Sequence, residues 1–311
     1  MTTAAPPDSP AALLKRARET VAPFAELYPF QHQFARVNEA WMHYVDEGPR
    51  GTAPLLCVHG NPTWSFFFRE IVREFSAEQR VLAVDHIGCG LSEKPASGRY
   101  DLAGHVANLE RLVLDLDLRD ITLVLHDWGG AIGMGLARLV PERIARIVVM
   151  NTAAFRSKSI PLRISVCRLP FFGKLAIQGL NGFSRAAIRM ATTKGLAPEV
   201  AAGLLAPYRR PADRVAQLAF VRDIPLDPGH PSYATLTAIE ESLESFRDRP
   251  ACILWGERDW CFTPEFRREW ERRWPHATVH RAEDAGHYLL EDAGPAVLGW
   301  VRTFLEAHPV Q

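Results

Sequence analysis

The chain has 311 residues, of which 47% are hydrophobic, enough for a large core; 36 Lys plus Arg balance 36 Asp plus Glu, and a formal charge of zero gives no support to nucleic-acid binding. The five cysteines (Cys57, Cys89, Cys167, Cys252, Cys261) are odd in number and scattered without metal-ligand spacing, so we expect no metal, no cofactor and no disulfide framework, and read reduced thiols in a cytoplasmic protein. The start, MTTAAPPDSP, lacks the basic and apolar regions of a signal peptide, and no run reaches the roughly eighteen apolar residues of a spanning helix.

Residues 1–30 read as an N-terminal extension, with a short disordered start and then a helix near Ala11–Ala25. Ala35–Gly48 alternates well enough for strands, with Trp41, His43 and Val45 on one face. A strand–helix rhythm follows. Pro54–His59 is a short apolar run, followed by a loop and a helical pattern to about Phe75. Arg80–Asp85 is the next strand, and Leu102–Leu116 the next helix. Ile121–His126 is β-rich and runs straight into Asp127-Trp128-Gly129-Gly130 and a helix. Arg143–Asn151, Ala251–Trp255 and Ala277–His280 complete the strands. Strands alternating with helices imply a mostly parallel, doubly wound sheet, and continuously apolar strands imply burial on both faces.

The rhythm breaks between about Phe155 and Gly229, where the pattern is helical and interrupted by Pro and Gly. We read an inserted helical cap over 155–229, with core segments 31–154 and 230–311 on either side. From Arg143 to Pro198 there are ten basic residues and no Asp or Glu, interleaved with Leu, Ile, Phe and Met. The commoner explanation is a solvated cationic face over an apolar underside. The sharper one is a surface that meets anionic lipid or an acidic partner.

A sharp strand-to-helix turn can lift one side chain above such a sheet, and small residues beside it let backbone pass close. Asp127 holds that position, followed at once by two glycines, although Leu125 is larger than the small residue common two places earlier. An Asp there can also be a simple helix N-cap. Three features favour a nucleophile. Asp259 follows the strand Ala251–Trp255 and His287 follows the last strand, so nucleophile, acid and histidine fall in order at carboxyl ends of strands. The loop His59-Gly60-Asn61-Pro62 follows the first core strand and can give one backbone N–H to an oxyanion hole, with Trp128 giving the other. Asn61 and Trp128 also offer an amide and an indole N–H to a leaving anion.

A carboxylate nucleophile forms a covalent ester, which water can then cleave with His287 as general base, Asp259 holding the imidazole tautomer. Unlike serine, it can displace a leaving group from alkyl carbon. His126 is expected to point into the structure and His86 to be structural, while His105 and His230 have no evident partner.

HGNPTWSFFFR (59–69), DHIGCGLSEKP (85–95), LHDWGGAIG (125–133), WGERD (255–259) and DAGHYLLED (284–292) resemble the haloalkane dehalogenases of the α/β-hydrolase fold, third subfamily. DHIGCGLSEKP, NTAAF (151–155) and FVRDIPL (220–226) are most similar to the β-lactone decarboxylases of bacterial long-chain olefin biosynthesis. That resemblance implies conversion of a cis-3-alkyl-4-alkyloxetan-2-one to an olefin and CO2. It implies Asp127 as nucleophile, His287 as base, Asp259 as its partner, and Asn61 and Trp128 holding the lactone oxygens. Attack on the lactone carbonyl and attack on the alkyl carbon both stay open. Phe155, Phe171, Phe172 and Phe183 would suit alkyl chains. A lactone synthetase and a reductase are the implied partners; the charge pattern itself makes the acid-free cap a candidate docking surface for them or for membrane.

The first alternative is a haloalkane dehalogenase with the same residues. An epoxide hydrolase needs two cap tyrosines, and only Tyr208 and Tyr233 are available. A fluoroacetate dehalogenase is excluded by Trp128 in place of its arginine. A non-catalytic hydrolase-like binding protein sits poorly with a complete nucleophile, acid and base.

Overall fold

The computed structural model describes residues 9–310; residues 1–8 of the expected disordered start lie outside the described residues. Helix α1 (Pro10–Val21) begins where the Ser9 side chain accepts from the Ala12 N–H. It is shorter than expected: Pro23, which has no N–H to donate, turns the chain into a single 3-10 turn at Ala22–Phe24.

The sheet has eight strands: β1 (Gln33–Val37), β2 (Ala40–Glu47), β3 (Leu55–Val58), β4 (Val81–Val84), β5 (Ile121–Asp127), β6 (Ile144–Thr152), β7 (Ala251–Gly256) and β8 (Thr278–Ala282). Their spatial order is β1-β2-β4-β3-β5-β6-β7-β8, antiparallel at β1–β2 and β2–β4 and parallel elsewhere. Helices α2 (Arg69–Phe75), α3 (Leu102–Asp115) and α4 (Trp128–Leu139) make the crossovers between β3 and β6. Side-chain alternation sends Leu55, Cys57, Val81, Ala83 and Val124 to the α2 face, and Leu56, Val58, Leu82, Leu123 and Leu125 to the α3–α4 face. Both faces are covered, which is why these strands read as unbroken apolar runs. From β3 the chain turns to β4 on one side, while β5 lies on the other. A crevice therefore opens at the carboxyl ends of β3 and β5, the usual place for a ligand in an open α/β sheet.

Between β6 and β7 there is no strand among the described residues. The segment holds α5 (Leu162–Cys167), α6 (Pro170–Gly173), a π-helical turn (Lys174–Gly179), α7 (Gly182–Met190), α8 (Pro198–Leu205), α9 (Val215–Arg222) and α10 (Tyr233–Ser242). A small apolar cluster of Ile164, Ile177, Leu218 and Val221 holds part of it together. The apolar residues do not form only an underside, as composition suggested: Leu162, Leu169, Phe171, Phe172, Leu175 and Leu180 are on the surface. Helices of six and four residues are too short to keep a single stripe turned inward. After β7, α11 (Pro264–Arg273) precedes β8, and α12 (Leu289–Ala307) closes the α2 face.

Leu125 fits beside the turn because α4 offers it Gly133. A Cβ at position 133 would come within 2.3 Å of Leu125 Cδ2. We predict that Gly133→Ala lowers the unfolding free energy by about 1–3 kcal/mol through overpacking. The loss shrinks when Leu125 is also Ala, as read by a denaturant double-mutant cycle; strictly additive losses would contradict the pairing.

Candidate active site

Asp127 ends β5 with φ 52° and ψ −125°, a strained conformation for a non-glycine residue, and the β5–β6 register shifts at this point. The turn is so tight that a Cβ at Gly129 would lie 1.9 Å from the Val58 carbonyl oxygen, and one at Gly60 would lie 2.0 Å from Asp127 Oδ1. Although Asp127 occupies the N-cap position of α4, its side chain makes no capping bond. Its carboxylate turns to the β3 loop instead, where Oδ1 accepts the Asn61 backbone N–H at 2.6 Å. The Trp128 backbone N–H also bonds the carboxylate. The two oxyanion-hole donors expected from the sequence are therefore both directed at Asp127 itself.

His287 lies in the loop between β8 and α12. Its Nδ1–H donates to Asp259 Oδ2 at 2.7 Å, and its Nε2 is 3.5 Å from Asp127 Oδ2. The ring stacks on Phe262 with centroids 5.7 Å apart. Asp259 is held from two further sides: Asn151 Nδ2 donates to Oδ2 at 3.0 Å, and the Cys261 N–H donates to Oδ1 at 2.6 Å. Asn151 is itself fixed by the Gly256 N–H, which donates to its Oδ1 at 2.9 Å. Sequence reasoning had no assignment for Asn151. The only hint was its place at the carboxyl end of a strand adjoining the one that precedes Asp259.

The other histidines build the scaffold. His126 is buried, as expected, and its Nε2 donates to the His287 carbonyl at 2.9 Å, so it also holds the His287 backbone in place. His86 is structural, as expected: its N–H donates to His59 Nε2 at 3.0 Å and its Nε2 donates to the His59 carbonyl at 3.0 Å. The loop that carries Asn61 is fixed in this way. His105 does have a partner, the Phe220 ring, stacked at 4.4 Å, and His230 donates to the Arg222 carbonyl at 3.1 Å.

Asp127, Asp259 and His287 are all buried. Burial raises the Asp127 pKa, opposed by the His287 charge and by the N–H groups of Asn61 and Trp128. For His287 burial acts downward, but the charge and hydrogen bond of Asp259, with Asp127 adding to them, raise the pKa above the usual 6.5.

A cavity of about 1040 Å³ lies above these residues, lined by Asp127, His287, Asn61 and Trp128 and by apolar side chains of the helical insertion. The Trp128 indole N–H donates to no protein group among the described residues. One Asn61 amide N–H is taken by the Gln217 carbonyl at 3.1 Å, so the side chain is tethered to α9 with its second N–H left over. Phe155, Phe172 and Phe183 line the cavity, but Phe171 does not: it is 93% exposed. Neither Tyr208 nor Tyr233 lines it either; Tyr208 donates to the Thr63 carbonyl at 3.1 Å, away from the carboxylate.

Known proteins resemble this chain over most of its length. Residues 53–294 match the family described as the alpha/beta hydrolase fold. A cis-3-alkyl-4-alkyloxetan-2-one decarboxylase of Shewanella oneidensis is 40% identical over 286 residues, covering 90% of this chain and 89% of that protein. A haloalkane dehalogenase of Mycobacterium marinum is 32% identical over 289 residues, covering 86% of this chain and 91% of that one. The crystal structure of the haloalkane dehalogenase DatA of Agrobacterium tumefaciens superposes with a TM-score of 0.82 at 26% identity, over 92% of this chain and 99% of that chain.

NMR titration of the His287 ring is expected to give a pKa above the ordinary value of about 6.5, and Asp259→Asn to lower it. Since only the neutral ring can accept a proton, any step that uses His287 as a base then weakens on acidification at a higher pH than for a free imidazole. A wild-type value at or below that of a free imidazole would contradict the electrostatic balance described above.

Proposed function

For a chain that belongs to the α/β-hydrolase family, we propose decarboxylation of a cis-3-alkyl-4-alkyloxetan-2-one to a cis-olefin and CO2, with Asp127 as the nucleophile. The observation that carries the chemistry is the Asn61 N–H bond to Asp127 Oδ1. A serine enzyme keeps that donor for the substrate's carbonyl oxygen; here it serves the carboxylate of the nucleophile. This supports attack by Oδ2 on an alkyl carbon, with Oδ1 becoming the carbonyl oxygen of the enzyme ester. The greater likeness to the decarboxylase than to the dehalogenase supports the lactone as substrate.

The reaction balances without water or a redox partner. Asp127 Oδ2 attacks the ring carbon that bears the ring oxygen. The C–O electron pair goes to that oxygen and leaves a carboxylate on the neighbouring carbon. Inversion sets the new ester bond anti to this carboxylate, with the two alkyl groups on the same side. The bond to the carboxylate carbon then breaks, its electron pair forms C=C, CO2 departs and Asp127 leaves as a carboxylate. A cis-lactone thus gives a cis-olefin. The Trp128 indole and the free Asn61 amide N–H would hold the lactone oxygens as charge develops on them. Charged His287, 3.5 Å from Oδ2, would stabilise the departing Asp127.

A haloalkane dehalogenase is the second reading. The same two donors would take halide, and neutral His287 would activate water to cleave the Asp127 ester. The apolar cavity suits either substrate. The absence of Tyr208 and Tyr233 from the cavity speaks against an epoxide hydrolase. The free thiols of Cys57, Cys89 and Cys252 support a cytoplasmic setting.

Incubation with a cis-3,4-dialkyloxetan-2-one and, in parallel, with 1-bromobutane tests the reading. We expect olefin and CO2 from the first by gas chromatography, and a loss of at least about 10³-fold in Asp127→Ala. Halide release alone would sink the lactone assignment. His287→Ala is expected to retain a butyl ester on Asp127 whenever bromobutane reacts, visible as a mass increase of the intact protein.

A further inference from the structure

The segment 162–180 has two features that catalysis leaves unexplained. Of the eight large hydrophobic side chains exposed among the described residues, six lie in it, with Phe171 93% and Leu162 79% exposed. Solvated surfaces rarely gather apolar side chains in this way unless something covers them. The same segment lies in the stretch from Arg143 to Pro198, which has ten basic residues and no Asp or Glu. Arg163, Arg168 and Lys174 stand among the exposed apolar residues and enter no ion pair among the described residues.

Position supplies the third observation. Leu162 and Phe172 are exposed and also line the cavity over Asp127, so the apolar surface runs into the site. Phe171 and Leu175 line a separate shallow groove together with Lys174. No helix among the described residues is long and apolar enough to cross a membrane. Short helices with exposed aromatic and aliphatic side chains amid lysine and arginine have the chemistry of an element that lies in a lipid interface.

We propose that segment 162–180 docks on the surface of an anionic lipid bilayer. Phe171 and Leu175 enter the acyl boundary, Arg168 and Lys174 meet phosphate headgroups, and Leu162 and Phe172 connect the bilayer to the cavity. An apolar substrate can then reach Asp127 without crossing water. The unopposed positive charge selects this occupant: a second copy of the chain would bring the same cations against themselves. The proposal goes beyond the reaction assigned above and holds whichever electrophile Asp127 attacks.

The test is cosedimentation of the full chain with phosphatidylcholine vesicles, alone or with roughly one-third phosphatidylglycerol. Binding is expected only with phosphatidylglycerol, and is expected to weaken as salt is added. The double variant Phe171→Glu/Leu175→Glu and the double variant Arg168→Glu/Lys174→Glu should each lower the partition coefficient by roughly tenfold or more. Neither pair lines the cavity, so turnover of a short, water-dispersed substrate should stay unchanged and reports an intact fold. No cosedimentation of the wild type, or unchanged cosedimentation of both variants, overturns the proposal. So does a wild-type dimer in light scattering that Phe171→Glu/Leu175→Glu dissociates, or a protein partner that covers the segment while anionic vesicles do not bind.

Discussion

The site depends on holding one carboxylate in a backbone conformation that the chain would not adopt alone. A non-glycine residue in sparsely populated φ/ψ space costs on the order of 1–3 kcal/mol and persists only where its surroundings over-determine it. Here β5 is buried between β3 and β6, and α4 begins immediately after Asp127. The glycine at 129 lets the helix start against the Val58 carbonyl, and Thr152 Oγ1 donates to the Asp127 carbonyl. In this conformation the side chain meets the loop after β3 and the Trp128 N–H instead of capping α4.

That orientation sets the electrostatics. Two carboxylates and an imidazole are buried together, and each buried charge needs partners to offset lost hydration. Asp259 has three, from His287, Asn151 and Cys261. Asp127 is held by backbone N–H groups and faces His287 through its second oxygen. One carboxylate is consumed in orienting the His287 ring, while the other faces that ring through its second oxygen. In the proposed reaction, the two backbone N–H groups that already bind Asp127 favour an ester of that residue over an acyl transfer in which substrate oxygen needs those donors.

The helical insertion has a different logic. Its inner side chains shape an apolar cavity, and its short helices cannot bury all the apolar residues they carry. Phe172 and Phe171 are neighbours in sequence, yet one lines the cavity and the other is out in solvent. On a helix, adjacent residues point about 100° apart, so composition cannot sort them.

Much of the sheet was legible in the residues themselves. Runs such as Ile121–His126 have the short length and β-branched, apolar content of a strand covered on both faces, and Asp127, Asp259 and His287 follow strand ends, where topology brings distant positions together. The N-cap alternative for Asp127 was equally consistent with local sequence; only the direction of its side chain, set by β3 and α4, removed it. Leu125 looked like a defect until packing paired it with Gly133, eight positions on and on another element. Nothing local tied Asn151 to Asp259 or His126 to His287, because each pair lies more than a hundred residues apart. Local pattern determines which residues sit at strand ends and which elements are buried. Tertiary structure alone decided that the Asn61 N–H meets the carboxylate and which apolar residues stay outside, since both are set by contacts between segments far apart in sequence.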